Sequence, residues 1–406
     1  MESSAARRFV IIGNGITGTT AADTIRKGDP NASVTLLASE PYSLYNRIAL
    51  PPFLKQKVPR AKVTIKTIEW HQERGLDLRL ETTAVRVDPS AQEVYLADGA
   101  VLPYDTLLVS TGGRANPLPW PNRLEGIFNF QTLDDSLAIM ERIECSRDAV
   151  VIGGSYISYE LAEAFRSRGL QTTWMMRGPW FLRRVLEEEG GMLVDRIAAH
   201  HGVEMIHGVE IAEVHGDNGT LTEVLTTDGR TFPADILGVG LGITRNVDFL
   251  DGSGIPTKNA VITDEFLRTT IPNVFAGGDS AEYYDPYVGH HSVMGTWDNA
   301  TNHGKIAGAN MLGDSLPYNE VPTYSTTLFH SKIMAFGATP ESNVGLEAVM
   351  AIDDATESYR RLFFQDELLL GGVIIGGRKG YPRLIELVQT QTPIPRSERE
   401  ALVALQ

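Results

Sequence analysis

Two glycine-rich stretches are the residues of this chain best suited to chemistry. The first, Gly13-Asn14-Gly15-Ile16-Thr17-Gly18, follows directly on the apolar run Phe9-Val10-Ile11-Ile12. In such a pattern the first glycine permits a tight turn. The second lets the backbone approach a pyrophosphate, and the third lets a helix pack closely on the strand. The small-residue stretch Thr19-Thr20-Ala21-Ala22 opens a helical pattern through Ile25, and the N-terminus of that helix turns its free N–H groups to the phosphates. The second stretch, Gly153-Gly154-Ser155-Tyr156-Ile157-Ser158, follows Ala149-Val150-Val151-Ile152. Its second and third glycine slots are serines. Ser155 puts a side chain where the backbone should meet a pyrophosphate, and Ser158 puts one where helix and strand should touch. Serine is small enough for the fold to survive, so this loop reads either as a nucleotide site or as a Rossmann unit that has lost its ligand.

The residues after each following strand bear on the sugar. Ser33–Leu37 reads as the second strand of the first unit, and an acid near its end would accept bonds from a ribose. Ala38 fills the usual slot. Glu40, with Ser39 beside it, lies at close to the usual interval of about 20 residues and is the expected ribose ligand. In the second unit Thr172-Thr173-Trp174-Met175-Met176 ends without an acid, and Arg177 follows. An arginine there meets a 2′-phosphate, which predicts NADPH ahead of NADH.

These side chains need two strand–loop–helix units to hold them. Continuous apolar runs such as Phe9–Ile12 and Ala149–Ile152 read as parallel strands buried on both faces. Two further strands end in small-residue turns, at Ser110-Thr111-Gly112-Gly113 and at Gly277-Gly278-Asp279. Asp279 at a strand end can accept a hydrogen bond from a sugar-like hydroxyl, and the glycines let the chain pass close to a flat ligand.

With these four motifs in this order, the chain resembles the FAD-dependent pyridine nucleotide–disulfide oxidoreductase superfamily. Within it, the chain is most similar to NADH–rubredoxin reductases and to the flavin module of NAD(P)H nitrite reductases. Glu40-Pro41-Tyr42-Ser43-Leu44-Tyr45-Asn46-Arg47 looks like their EPxxxYNR segment beside FAD. Trp297, Ala300, Gly304, Lys305, Ala307, Asn310, Met311 and Gly313 resemble their helix that meets the flavin pyrimidine edge. The resemblance implies an α/β fold of two Rossmann-like domains, the second inserted in the first, with a C-terminal α/β interface domain. The implied boundaries are 1–115 and 245–318 for FAD, 116–244 for NAD(P) and 319–406 for the interface domain. It assigns FAD contacts to Gly13, Gly15, Ile16, Thr17, Gly18, Ser39, Glu40, Asn46, Arg47, Ala84, Ser110, Thr111, Gly112, Asp279 and Trp297. It assigns nicotinamide-nucleotide contacts to Gly153, Ser155, Tyr156, Ile157, Arg177 and Gly240, and the catalytic position near the nicotinamide and flavin N5 to Glu160.

Composition narrows the chemistry. The chain has 406 residues and a formal net charge of −15, which disfavours non-specific nucleic-acid binding. Its one cysteine, Cys145, leaves no disulfide and no CxxC pair. The family's redox cysteines fall within the stretch Tyr42 to Leu50, which here has none. That removes the disulfide, peroxide and sulfide reductases from the reading. The histidines show no HExxH spacing, so no metal site is expected, and the adjacent pair His200-His201 should point apart on a helix. No apolar run approaches the about 18 residues that span a bilayer, and the chain reads as cytoplasmic. The resemblance then implies an oxidoreductase passing electrons between NAD(P)H and a small iron–sulfur or rubredoxin-like protein. Arg360, Arg361, Arg378, Lys379 and Arg383 are the expected cationic docking patch, and the interface domain is where a partner or second subunit would pack. The competing reading is an electron-relay subunit of a larger redox complex whose nicotinamide site is vestigial.

Overall fold

The computed structural model describes residues 6–121, 124–340 and 342–405. The chain divides into two compact units. One comprises Met1–Asn46, Ala61–Arg114 and Thr244–Pro322, and the other Arg47–Arg60, Ala115–Ile243 and Thr323–Gln406.

In the first unit five parallel strands stand in the order Val274–Ala276, Thr106–Val109, Arg8–Ile12, Ser33–Leu37, Asp77–Arg79. The central strand is apolar from Phe9 to Ile12 because both of its faces are covered there. Phe9 and Ile11 pack with Ala21, Ala22 and Ile25 of the helix Ile16–Gly28, while Val10 and Ile12 pack with Val87 and Val94 on the other side. The helix Trp297–Leu312 lies tightly against Ile16–Gly28. A Cβ at Gly304 would sit 2.5 Å from the Thr17 carbonyl oxygen, and one at Gly308 would sit 2.9 Å from that of Ala21. Two glycines four apart make one bare stripe, and that stripe lets the backbones approach.

The second unit repeats the pattern. Its parallel strands run in the order Val203–His207, Gln171–Met176, Asp148–Ile152, Ile236–Val239, Ile127–Asn129. A separate antiparallel sheet orders Thr323–Leu328, Ser331–Gly337, Leu368–Ile375, Ser358–Gln365 and Glu347–Asp353. The helix Tyr156–Ser167 meets its first strand, with the Tyr156 and Tyr324 ring centroids 3.8 Å apart.

Residues 47–60 interrupt the first unit in sequence yet pack with the second. Arg47 donates to the Gln131 carbonyl at 2.5 Å, Arg168 donates to that of Leu54 at 3.1 Å, and Lys55 pairs with Glu163 at 2.8 Å. Among the described residues no helix is long and apolar enough to cross a membrane.

Candidate dinucleotide sites

In the first unit the loop is shaped by its own backbone. Gly13 has φ +111°, and a Cβ there would lie 2.2 Å from the Ser110 carbonyl oxygen. A Cβ at Gly18 would lie 2.0 Å from that of Gly13. Both positions therefore exclude any larger residue. Gly15 differs: a Cβ there would meet no atom within 4 Å. Among the described residues none requires glycine at this position, whereas a pyrophosphate lying against the loop would. The helix beyond carries no acidic residue in its first turn and no side-chain cap, so nothing there opposes an anion.

The surrounding turns are tied to this loop. The Ser110 hydroxyl donates to the carbonyls of Ile12 and Gly13 at 3.2 and 3.1 Å, and that of Thr111 to the Asn246 carbonyl at 2.6 Å. Gly112 has φ +62°. Thr17 reaches the Ala300 carbonyl at 2.8 Å, which locks the loop helix to the Trp297 helix. The Gly278 N–H donates to His303 Nδ1 at 3.1 Å, so the ring proton sits on Nε2. Burial pushes this histidine down to about 3, and it stays a neutral prop under the turn that carries Asp279. Asp279 and Trp297 are half-buried. The Glu40 carboxylate accepts from the Tyr45 hydroxyl at 2.7 Å, Ser39 is exposed, and the Asn46 N–H donates to the Val63 carbonyl at 2.8 Å. Ala84 is buried in the strand Ala84–Asp88.

In the second unit the serines stitch the loop together. The Ser155 hydroxyl donates to the Gly240 carbonyl at 3.1 Å. The Ser155 N–H donates to Ser158 Oγ at 3.0 Å, and Ser158 Oγ donates back to the Ser155 carbonyl at 2.7 Å. Helix–strand contact survives because Gly240 supplies the missing space: a Cβ there would lie 2.9 Å from that of Ser158. The expected clash at Ser158 is thus absorbed by a glycine on the facing strand end. Trp174 Nε1 donates to the Gly153 carbonyl at 2.7 Å and secures the turn from below.

Two expectations about this unit need correction. The sequence shows no acid at the end of the strand Gln171–Met176, but the fold brings one alongside. Glu210 Oε1 lies 3.4 Å from Arg177 Nη1, both side chains exposed. Sequence order hid it, because Glu210 follows a different strand. Likewise His200 and His201 do not diverge into separate surroundings. His200 meets Glu357 at 3.0 Å, Glu357 meets His330 at 2.6 Å, and His330 meets His201 at 3.0 Å. The helix end places them on one turn, and the two hairpin ends carrying His330 and Glu357 gather both. No group of side chains suited to a metal ion occurs among the described residues.

Behind the second loop, Glu160 lies on the helix Tyr156–Ser167, with the Thr326 hydroxyl 3.4 Å from its Oε1. Burial pushes its carboxyl up to about 7; the Thr326 bond and the charge of Lys55 oppose this. A carboxyl of that strength exchanges protons near neutral pH, as a general acid or base must. Lys55, Tyr324 and Thr326 were not apparent in the sequence, because each reaches Glu160 from a distant segment; Glu163 is one turn along the same helix, but its pairing with Lys55 is made only by the fold.

The expected docking patch also changes. Arg360 is only 6% exposed, and its guanidinium donates to the carbonyls of Leu402 and Lys379. Arg361 is paired with Glu187 at 2.7 Å. These two arginines hold the C-terminal segment and a neighbouring loop, so they are not available to a partner. Arg378, Lys379 and Arg383 are exposed.

Two parallel nucleotide-type sheets, one loop shaped for a pyrophosphate and a Gly-Gly-Asp turn behind it define a two-nucleotide oxidoreductase. The family model described as pyridine nucleotide-disulphide oxidoreductase matches residues 7–304, and the chain belongs to this family. Membership implies FAD and a nicotinamide nucleotide as cofactors, and the first loop fits the former by its unfilled position at Gly15.

Relatives divide by length. Rhodocoxin reductase of Rhodococcus erythropolis is 28% identical over 333 residues, covering 82% of this chain and 78% of its own. The NAD(P)H nitrite reductase of Bacillus subtilis is 24% identical over 401 residues, covering 98% of this chain, but this chain spans only 49% of it. Among solved structures, the ferredoxin reductase for the CYP199A2 system from Rhodopseudomonas palustris matches with a TM-score of 0.90 at 24% identity. The match covers 98% of this chain and 97% of that one. The putidaredoxin reductase–putidaredoxin complex matches at 0.91 and 21% identity, covering 99% and 97%. These two likenesses establish the shared fold.

Proposed function

We propose that this chain is an FAD-dependent reductase that accepts electrons from NAD(P)H and passes them to a small iron–sulfur or rubredoxin-like protein. The observation that carries this reading is the pairing of a nucleotide loop in each unit with a single cysteine, Cys145. That cysteine is exposed and hydrogen-bonded to the Arg142 carbonyl. With no thiol pair to relay electrons, bound FAD would be the redox centre, able to take two electrons and release them one at a time.

The chain's own part is to bind, orient and exchange protons. Gly15 and the N–H groups after it would hold the FAD pyrophosphate, Glu40 the ribose, and Asp279 the ribityl chain. Tyr156, Ile157 and the Ser155 loop would seat the nicotinamide nucleotide, and Glu160 would hold a proton beside it. Arg177 favours NADPH through a 2′-phosphate, and Glu210 opposes it by occupying the guanidinium. The domain roles follow: residues 1–115 and 245–318 for FAD, 116–244 for the nicotinamide nucleotide, and 319–406 as the interface domain, where a partner or a second copy of the chain would pack.

The serine-substituted loop supports one alternative, an FAD relay subunit of a larger complex without nicotinamide activity. Anaerobic titration of the purified flavoprotein with NADH and with NADPH separates the two. Bleaching of the flavin by either nucleotide supports the reductase. Bleaching by dithionite alone supports the relay subunit.

A further inference from the structure

Glu160 and Glu163 are three residues apart on the helix Tyr156–Ser167 and therefore share a face. One ammonium group is paired with Glu163 and acts on Glu160 only through its charge. Lys55, at the C-terminal end of the short helix Leu50–Leu54, lies 2.8 Å from Glu163 Oε1, and the two side chains are 10% and 3% exposed. The Tyr159 hydroxyl donates to the other oxygen of Glu163 at 3.3 Å. Glu160 accepts from the Thr326 hydroxyl at 3.4 Å and keeps some access to solvent.

We propose that Glu163 is a positioning residue: by holding Lys55 on the buried side of the helix it withholds the ammonium from Glu160, and so leaves Glu160 free to exchange a proton with solvent water. The proposal rests on reading this helix as the nicotinamide side of the site.

The direction of the competition follows from solvation. A carboxylate with no water around it loses most when its counter-charge leaves, so the deeper Glu163 keeps the lysine. Glu160 can shed its charge by taking a proton, because water reaches it. The titratable and charged groups that face Glu160 are Lys55, its helix neighbours Tyr156, Tyr159 and Glu163, and Tyr324 on the strand Thr323–Leu328. Burial holds Tyr159 and Tyr324 neutral, so Lys55 and Glu163 set the electrostatic balance. Lysine draws Glu160 toward the charged form and Glu163 pushes it back.

The decisive measurement is the carboxyl titration of Glu160 itself. It is followed by NMR on full-length flavoprotein labelled with 13C-glutamate, the resonance being assigned by its loss in Glu160→Gln. Glu163→Gln removes the charge that anchors Lys55, so the ammonium becomes available to Glu160. Its midpoint should fall by roughly one pH unit or more. Thr326→Val leaves the ion pair intact and removes a donor to the charged form, so the midpoint should rise. This second variant covers the case in which Glu163→Gln does not fold. An unchanged midpoint in a folded Glu163→Gln protein, or in Thr326→Val when that is the only folded variant, overturns the proposal. Stopped-flow bleaching by NADPH across the same pH range addresses the underlying reading. If no nucleotide bleaches the flavin, the nicotinamide assignment fails while the NMR titration still decides the role of Glu163.

Discussion

Three glycines in one loop differ in why they are glycine, and that difference can be measured. Gly13 is fixed by its φ of +111° and by the Ser110 carbonyl, whereas a Cβ at Gly15 would meet nothing within 4 Å among the described residues. Gly13→Ala should fail to accumulate as folded protein. Gly15→Ala should unfold at an unchanged temperature but bind FAD at least about tenfold more weakly, or about 1.4 kcal/mol. Thermal unfolding and the flavin-to-protein absorbance ratio report the two effects. The Arg177–Glu210 pair gives a second residue-scale test. Glu210→Gln frees the guanidinium, so the ratio of kcat/KM for NADPH over NADH should rise about tenfold. Arg177→Ala should lower it by a similar factor. Steady-state rates with both nucleotides, measured on each variant, decide this.

At the scale of elements, the second loop depends on the strand beneath it. Trp174 is fully buried, packs against Phe181 and Tyr159, and donates to the Gly153 carbonyl. Trp174→Phe keeps the ring but leaves that carbonyl without the indole donor. The expected cost is about 1–3 kcal/mol, read from urea unfolding. A pH-dependent tie joins the helix Glu188–His200 to the next strand, where His207 Nε2 meets Asp195 at 2.7 Å. The bond to Asp195 raises the pKa of His207, against partial burial. The folded chain therefore holds this proton more tightly than the unfolded chain, where imidazole titrates near about 6.5. The stabilisation is complete below that pH and is lost as pH rises through the raised folded value. Unfolding midpoints should fall over that window in the unmodified protein and stay flatter in His207→Gln.

For the whole molecule, charge and length matter most. The formal net charge is −15, and Arg360 and Arg361 are committed to internal bonds. Encounter with an acidic iron–sulfur protein would thus be slowed by like-charge repulsion, which salt screens. Reduction of an acidic ferredoxin should speed up as ionic strength rises, as stopped-flow traces at several salt concentrations would show. A rate that falls with salt would instead locate a cationic docking face among the exposed groups such as Arg378, Lys379 and Arg383. The chain spans about half the length of the Bacillus nitrite reductase.

Local rules in the sequence determined the strand–loop–helix units and the Gly-Gly-Asp turn. Each depends on residues within one short segment: an apolar run buried on both faces, a glycine where φ is positive, a small residue where backbones meet. The same locality made Ser155 and Ser158 look damaging, because the compensating Gly240 lies far along the chain. Only the tertiary structure decided which side chains meet through space. It joined Lys55 to Glu163, brought Glu210 to Arg177, gathered His200, His201, His330 and Glu357, and set Thr326 on Glu160. Electrostatic and hydrogen-bonding energies depend on separations of a few ångström, and sequence spacing does not encode those separations between segments that fold together from a distance.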